Sequence, residues 1–230
     1  TVVATFIHTP NISVSYMEDL EVSSSVLLEQ SNADDIDWTL QSGITPSGGT
    51  GPTGDHTTGT GNYYYLEASA NLNKVAVLES PCIDVVSPKL TFWYHMYGSE
   101  MGTLSVEVFD GSAWTQAWSL TGNQGNDWLL AEINLVNFTL NGDFRYRFVG
   151  LTGSGGQSDM AIDDILVNEI NANDIGISEI IAPTGGCNLT ANENVEIIIF
   201  NAGAADQTGF NIDYSLDANI IGTYTYTNVI

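Results

Sequence analysis

The chain has 230 residues, of which 43% are hydrophobic, enough for one or two domains with an apolar core. Only four residues are basic against 28 acidic ones, so the formal net charge is −24 at pH 7. Nucleic-acid binding needs clustered Lys and Arg and is excluded, and anionic membrane surfaces are disfavoured for the same reason. No run approaches 18 consecutive apolar residues, which argues against direct membrane insertion.

The N-terminal segment is predicted to be a β-strand over residues 1–7, because its first residues are mostly β-branched or aromatic. It lacks the basic start of a signal peptide. We interpret residues 1–13 as a linker or as the end of a preceding module.

A tract rich in Asp and Gly follows between Asp34 and Tyr63, and nothing in it is typical of a helix. Its glycines permit sharp turns and close approach of the backbone. Its aspartates offer oxygen ligands to a hard cation.

From residue 90 onward the pattern is all-β. Residues 90–97 are apolar on both faces, which indicates a central strand of a sandwich. Residues 103–109 alternate, and Asp110-Gly111 then predicts a turn into a second strand over 113–120. Further strands are predicted over residues 129–135, 144–149 and 160–167.

A second unit is predicted after a boundary at residues 171–174. Strands are expected over residues 175–181, 195–200 and 210–216, and the last residues, 224–230, are also strand-like. Four or five short strands are fewer than the seven or so of an immunoglobulin-type sandwich. We therefore expect residues 171–230 to be a truncated module, or one completed by residues outside this sequence.

Six sequence blocks in a fixed order carry a family resemblance. They are residues 35–39 (DIDWT), 50–57 (TGPTGDHT), 90–98 (LTFWYHMYG), 102–106 (GTLSV), 122–128 (GNQGNDW) and 161–165 (AIDDI). Together they resemble a MAM domain over residues 14–170. The resemblance implies a two-sheet jelly-roll sandwich that serves as a non-catalytic recognition module in extracellular adhesion receptors, membrane-bound proteases and large secreted bacterial proteins.

The cysteines depart from the animal pattern of that family. Animal members usually carry four cysteines, whereas only Cys82 falls within this domain and Cys187 lies in the second unit. We expect two free thiols rather than a bridge, although spacing leaves both open. The departure favours a bacterial secreted or surface protein. The second unit resembles a CARDB-type or related Ig-like adhesion module, through residues 183–190 and 195–203.

A structural calcium site is the strongest chemical hypothesis. Modules that resemble this one often tie the first strand, the Gly-rich loop and the last strand with one cation, which implies Glu21 with Asp19 near it, Asp55 and Asp163. Three distant acidic segments converge most readily around a hard cation that replaces their repulsion. Strand alternation also predicts opposite faces for Asp163 and Asp164, so one carboxylate points inward and needs a partner. The alternative is that these acids cap turns and face water.

Two tryptophans invite a carbohydrate interpretation. Trp114 and Trp118 are four residues apart, so a regular strand places both on one face, where they form a platform for sugar rings. The alternative is core and edge packing.

No catalytic constellation is present. The chain has no GxSxG or HExxH motif, and His56 is expected to lock its loop by a hydrogen bond rather than to act in catalysis.

The combined prediction is an all-β chain, a two-sheet jelly-roll sandwich followed by a partial Ig-like β-sandwich module. Its function is predicted to be non-catalytic adhesion or recognition outside the cell, in a larger secreted or surface-anchored protein stabilised by Ca²⁺. The expected partners are an extracellular protein or glycan and the flanking modules of the same polypeptide. The alternative function is a carbohydrate-binding module appended to a secreted polysaccharidase or protease.

Overall fold

The computed structural model describes residues 16–21, 27–85, 87–138, 144–171, 173–184, 193–203, 205–216 and 219–230. The chain divides into two units, Thr1–Glu169 and Ile170–Ile230. The strand predicted over residues 1–7, and the linker over 1–13, lie outside the described residues. No helix in the described ranges is long and apolar enough to cross a membrane.

Two antiparallel sheets build the first unit. The six-stranded sheet contains β1 (Tyr16–Glu18), β3 (Thr39–Ser42), β4 (Asn62–Leu66), β6 (Pro88–Met96), β9 (Leu129–Asn134) and β11 (Met160–Glu169). The five-stranded sheet contains β2 (Glu29–Gln30), β5 (Val75–Glu79), β7 (Thr103–Phe109), β8 (Trp114–Thr121) and β10 (Arg145–Leu151). Their hydrogen-bonded orders are β3-β4-β11-β6-β9, with β1 also paired to β11, and β2-β5-β10-β7-β8. The all-β sandwich expected from the sequence is thereby confirmed.

The main core lies between these sheets. Alternate residues of each strand point into it, and Phe92 of β6 meets Phe148 of β10 edge to face at 4.9 Å. β6 is hydrogen-bonded to β9 on one side and to β11 on the other, which confirms its predicted central position.

The predicted hairpin is also confirmed. β7 and β8 are antiparallel neighbours, and the Asp110 side chain accepts hydrogen bonds from the backbone of Ser112 and Ala113 in the turn. Gly111 has a φ of +93°, a backbone conformation that favours glycine.

The structure adds five strands, β1 to β5, that the sequence analysis did not predict. In β4 four consecutive residues, Tyr63 to Leu66, are buried. Such a strand gives no period-2 signal, because both of its faces are covered.

The second unit contains two separate two-stranded sheets, β12 (Ile175–Ala182) with β13 (Glu196–Asn201), and β14 (Phe210–Leu216) with β15 (Asn219–Tyr226). β12, β13 and β14 match the three strands predicted within residues 175–216, and β15 overlaps the strand-like residues 224–230 only at 224–226. Within the described part of this unit no residue is buried, and large apolar side chains such as Ile180 are exposed, in that case by 66%. Its Ig-like character stays a prediction.

Candidate functional site

The Gly-rich loop, residues 43–61 between β3 and β4, lies over the outer face of the six-stranded sheet. Three aromatic side chains of that face hold it. The Tyr63 hydroxyl donates to the Gly43 carbonyl at 2.5 Å, and Trp128 Nε1 donates to the Gly54 carbonyl at 3.1 Å. The His56 ring stacks on Trp93 with centroids 3.7 Å apart. The loop therefore packs against the outer face of the sheet and covers its aromatic side chains, instead of extending into solvent.

Asp55 organises the tip of this loop from within. Its buried carboxylate accepts hydrogen bonds from the Thr58 N–H at 2.7 Å, the Thr58 hydroxyl at 3.0 Å and the Gly61 N–H at 2.6 Å. Burial acts to raise the pKa of Asp55, but these hydrogen bonds outweigh it and lower the pKa overall. The group is an anion at neutral pH.

Asp163 and Asp164 both reach the loop from β11. Asp163 Oδ2 accepts the His56 N–H at 2.8 Å, while Asp164 Oδ2 lies 2.7 Å from His56 Nδ1 and accepts the Thr57 hydroxyl. The expectation that the two carboxylates point to opposite faces is wrong. The register shifts between Asp163 and Leu166, and Asp164 has a φ of +45°, so a β-bulge turns the second carboxylate back toward the loop. The loop-locking hydrogen bond expected of His56 is confirmed.

The environment of Asp163 is unfavourable for its negative charge. Burial raises the pKa of this carboxyl to about 7, the His56 N–H opposes that rise, and the carboxylates of Asp164 and Asp55 add to it. Carboxylates of the Gly-rich loop and of β11 therefore lie close enough to repel one another.

Glu21 comes to the same loop from the segment after β1. Its side chain lies against Gly61, where an added Cβ would overlap the Glu21 carboxylate, and Asn62 Nδ2 donates to the Glu21 carbonyl at 3.3 Å. Asp19 is exposed and accepts the Glu21 N–H at 3.1 Å, which holds the turn that carries Glu21. Across the part of the chain that the structure describes, no group of three or more His, Cys, Asp and Glu side chains is arranged to hold a metal ion. Any cation here would need backbone or hydroxyl oxygens as well.

Trp114 and Trp118 lie on opposite faces of the five-stranded sheet, so the expectation that they share a face is wrong. Trp114 pairs with Phe109 and Gln116 pairs with Glu107, but the register then shifts, and Trp118 pairs with Val106. A bulge at Ala117 accounts for the change. The Trp118 ring faces the core and meets Phe92 and Tyr94 edge to face, with centroids 5.3 and 5.4 Å apart.

Trp114 instead belongs to a charged cluster on the outer face of the five-stranded sheet. The Arg147 guanidinium lies 4.1 Å from its ring centroid and pairs with Glu107 at 2.6 Å. Arg145 lies 5.4 Å from the same ring and pairs with Glu79 at 3.2 Å. We call this cluster the Arg–Trp patch: Glu79, Glu107, Phe109, Trp114, Arg145 and Arg147.

The Arg–Trp patch holds two of the chain's four basic residues. The sequence analysis missed it, although the alternation of Arg145, Tyr146 and Arg147 in a strand places both arginines on one face. A cavity of about 240 Å³ adjoins it, lined by Glu29, Gln30, Ser31, Asn32, Glu79, Ser80, Pro81, Cys82 and Arg145.

Comparison with known proteins agrees with the fold and with the sequence blocks. The family described as "MAM domain, meprin/A5/mu" matches residues 21–172, which is more than half of the chain. The chain belongs to the MAM domain family. Cys82 of this MAM domain is free, and Cys187 lies outside the described residues.

Among the relatives, this MAM domain protein is 35% identical to neuropilin-1a of Danio rerio over 145 residues, which is 60% of this chain and 16% of that protein. It is 34% identical over 177 residues to the human MAM domain-containing glycosylphosphatidylinositol anchor protein 1, which is 71% of this chain and 18% of that protein. The chain thus spans less than a fifth of the length of these relatives.

Among solved structures, the K1 cleaved adhesin domain of Lys-gingipain from Porphyromonas gingivalis W83 is similar, with a TM-score of 0.50 and 15% identity. The match covers 68% of this chain and 99% of that domain. This likeness concerns the fold alone.

Proposed function

We propose that this chain is a non-catalytic adhesion or recognition module of a larger secreted or cell-surface protein. Membership of the MAM family and the much greater length of the relatives support this role. The name of one relative includes a glycosylphosphatidylinositol anchor, in keeping with a position outside the cell. His56, the one histidine in the acidic loop, is held by Asp164 and Trp93, and the Thr57 hydroxyl beside it donates to Asp164.

The Arg–Trp patch is the surface that we propose contacts the partner, and it is the observation that carries the proposal. The opposite outer face is covered by the Gly-rich loop, whereas this one presents an aromatic ring and planar charged groups that suit recognition. Because its arginines are paired with Glu79 and Glu107, the patch suits a polar partner better than a polyanion.

An adhesion assay tests this surface. Beads coated with the protein are expected to bind cells or one another, and Trp114→Ala is expected to reduce binding at least tenfold, in keeping with loss of an aromatic anchor worth about 2 kcal/mol. Thr115→Ala changes an exposed neighbour in the same strand and serves as control. Equal binding by the parent and by Trp114→Ala would place the contact elsewhere.

The second candidate function is carbohydrate binding by a module attached to a secreted polysaccharidase or protease. The observation that favours it is the polar cavity beside Arg145, since the carboxylate, amide, hydroxyl and guanidinium groups that line it suit sugar hydroxyls. Affinity gels that contain single polysaccharides distinguish the two. Retardation on one polysaccharide, lost in Trp114→Ala, supports this function, and migration unchanged on every gel supports adhesion to protein.

We further propose that a structural Ca²⁺ binds where the Gly-rich loop meets β11. Asp163 and Asp55 would supply buried carboxylate oxygens, Glu21 would supply a third carboxylate from beside Gly61, and Asp19 would hold or assist Glu21. The ion would supply positive charge that relieves the repulsion around Asp163. Carboxylate oxygens are the preferred ligands of a hard cation, and backbone or hydroxyl oxygens of the loop would complete its coordination.

Thermal melting tests the ion. Ligand at 100 times its dissociation constant stabilises the native state by about 2.7 kcal/mol, so millimolar Ca²⁺ is expected to raise the Tm by several degrees over EDTA. Asp163→Asn is expected to remove most of that rise, and Asp84→Asn, an exposed acid elsewhere, is expected to retain it. If the parent protein has the same Tm in millimolar Ca²⁺ as in EDTA, this proposal is refuted.

The proposal also covers the type of organism that the protein comes from and the identity of the second unit. A bacterial type of MAM protein is supported by the cysteine pattern, and residues 171–230 are proposed to begin an Ig-like or CARDB-like adhesion module. Both follow from the resemblance seen in the sequence.

A further inference from the structure

A row of charged side chains crosses the outer face of the five-stranded sheet. From β2 to β7 the directly opposed residues are Glu29, Glu79, Arg147 and Glu107. Residues opposite one another in neighbouring strands project from the same face of a sheet. The charged surface of the Arg–Trp patch therefore continues beyond Glu79 to Glu29.

Glu29 is the carboxylate of this row that has no cation. Glu79 pairs with Arg145 at 3.2 Å and, more distantly, with Arg147 at 3.8 Å. Arg147 also pairs with Glu107 at 2.6 Å. Within the ranges that the structure describes, Glu29 makes no ion pair, and the residue opposite it carries the same charge. Three carboxylates thus share two guanidinium groups, and the excess negative charge lies at the Glu29 end.

The chain has no further basic side chain to give to Glu29. Its four basic residues are already paired with other carboxylates, as Lys74–Asp35, Lys89–Glu132, Arg145–Glu79 and Arg147–Glu107. In the free protein Glu29 is exposed and solvated. A partner that covers this surface removes that water, and a carboxylate without a counter-charge is costly to bury. A partner that brings its own positive charge avoids this cost.

The cavity beside Arg145 gives such a charge a place to bind. Its volume is about 240 Å³, and both Glu29 and Glu79 line it. The Gln30 amide in the lining is already used by the Trp38 backbone, to which it donates at 2.7 Å and from which it accepts at 3.0 Å. The carboxylate oxygens accept hydrogen bonds, and a Lys ammonium or an Arg guanidinium supplies donors alone.

We propose that the partner of this surface is an extracellular protein that places a Lys or Arg side chain in the cavity beside Glu29. The inference rests on the proposed function, because it names the chemistry of the partner that the Arg–Trp patch contacts. The net charge of −24 favours the same partner, since it attracts a basic protein from a distance and repels a second copy of this chain.

One interface can cover both the cavity and the aromatic ring of the patch. Glu29 and Trp114 lie on the two edge strands of the five-stranded sheet, four strand spacings or about 19 Å apart. A standard interface of about 800 Å² on each partner is about 30 Å across and therefore spans that distance.

Small cationic probes test the cavity directly. N-acetyl-arginine amide and N-acetyl-lysine amide are titrated into the isotope-labelled full chain, and NMR follows the backbone amide signals of Glu29, Gln30 and Glu79. At least one probe is expected to shift them saturably, whereas N-acetyl-citrulline amide, which has the shape of the arginine probe without its charge, is not. Glu29→Gln is expected to weaken binding about two- to fivefold, as for an exposed ion pair. Asp127→Asn removes the same charge from an exposed loop between β8 and β9 and is expected to bind the probe as the parent does.

Three results of the titration would overturn the inference. The first is that neither probe shifts these signals, and the second is that the parent and Glu29→Gln bind the probes equally. Glucosamine, a cationic sugar, is titrated in the same way. A response to glucosamine alone is the third, because it would replace the protein side chain by a glycan.

The adhesion assay separates this inference from the function on which it rests. Charge reversal in Glu29→Lys is expected to lower the binding of coated beads to cells about fivefold or more, and Asp127→Lys, with the same change of charge, is the control. Loss of binding in Trp114→Ala with unchanged binding in Glu29→Lys overturns the inference and leaves the proposed contact surface intact. If Trp114→Ala binds as the parent does, the proposed contact surface fails, and the titration decides whether the cavity binds a cationic side chain.

Discussion

Single carboxylates decide how the Gly-rich loop is held, because its backbone N–H groups have no neighbouring strand to pair with. Asp55 accepts two of them from within the loop, and Asp163 accepts a third from the sheet. Charge-assisted hydrogen bonds of this kind are stronger than neutral ones. Each carboxylate therefore accepts N–H groups that the carbonyls of a neighbouring strand would accept in a sheet. Because these carboxylates lie close together, negative charge is concentrated where the loop meets β11. This charge is the reason for proposing a bound Ca²⁺ there.

The contact between Glu21 and Gly61 gives a residue-scale prediction. A Cβ at Gly61 would overlap the Glu21 carboxylate, which ends an exposed, flexible side chain and can move aside, so Gly61→Ala is expected to lower the free energy of unfolding by only about 0.5–1 kcal/mol in urea denaturation. Gly48→Ala is the matched control, because nothing lies within 4 Å of its Cβ position, and it is expected to change stability by less than about 0.5 kcal/mol. Equal stability of the two variants would contradict the packing described for Glu21.

The pH dependence of stability provides a second test at this scale. His95 is buried, and burial lowers the pKa of its ring, with Asn126 and Asp127 opposing that shift. The unfolded chain therefore binds a proton on this residue more readily than the folded one, and stability falls as the pH drops below about 6.5. His95→Gln is expected to lose less Tm than the parent between pH 7.5 and 5.5. A parallel loss in both proteins would show that His95 does not contribute.

At the scale of single strands, two bulges decide where functional side chains point. Alternation correctly places β7, β8 and β11 along the chain, but it also predicts one face for Trp114 and Trp118 and opposite faces for Asp163 and Asp164. Both predictions are wrong for one reason, since an extra residue reverses the alternation. Bulges depend on hydrogen bonds to neighbouring strands, and a single sequence read strand by strand contains no signal for them.

The opposite faces of β8 predict different costs for its two tryptophans. Trp118→Ala removes core packing and is expected to lower the free energy of unfolding by about 3 kcal/mol. Trp114→Ala removes a ring that packs on arginine at the surface and is expected to cost only about 1 kcal/mol. Chemical denaturation of both variants checks the difference, and a larger loss in Trp114→Ala would mean that the bulge is absent.

At the scale of the molecule, all fully buried apolar residues described belong to the first unit. The family, the sandwich and the acids near the loop followed from the sequence because six short blocks and the loop acids are local features. The Arg–Trp patch did not, because it joins side chains of β5, β7, β8 and β10. Such neighbours become visible only once the strand order is known.

This distribution of the core predicts that the first unit is stable by itself. A protein of residues 14–170 is expected to melt within about 2–4 °C of the full chain, which corresponds to less than about 1 kcal/mol for a domain of this size. Differential scanning calorimetry measures both transitions. A fragment that fails to fold, or that melts far below the full chain, would show that residues 171–230 support the sandwich.

The cover formed by the Gly-rich loop has a consequence for protein engineering. Long surface loops rich in glycine are ordinarily the first segments to be shortened, because loop length changes stability little. Here the loop covers Tyr63, Trp93 and Trp128. Replacing it by a short turn between β3 and β4 would expose these side chains to water as one contiguous aromatic surface. Trimming would thus turn a well-behaved domain into a self-associating one, and the segment that looks most dispensable is the one that keeps the sheet soluble.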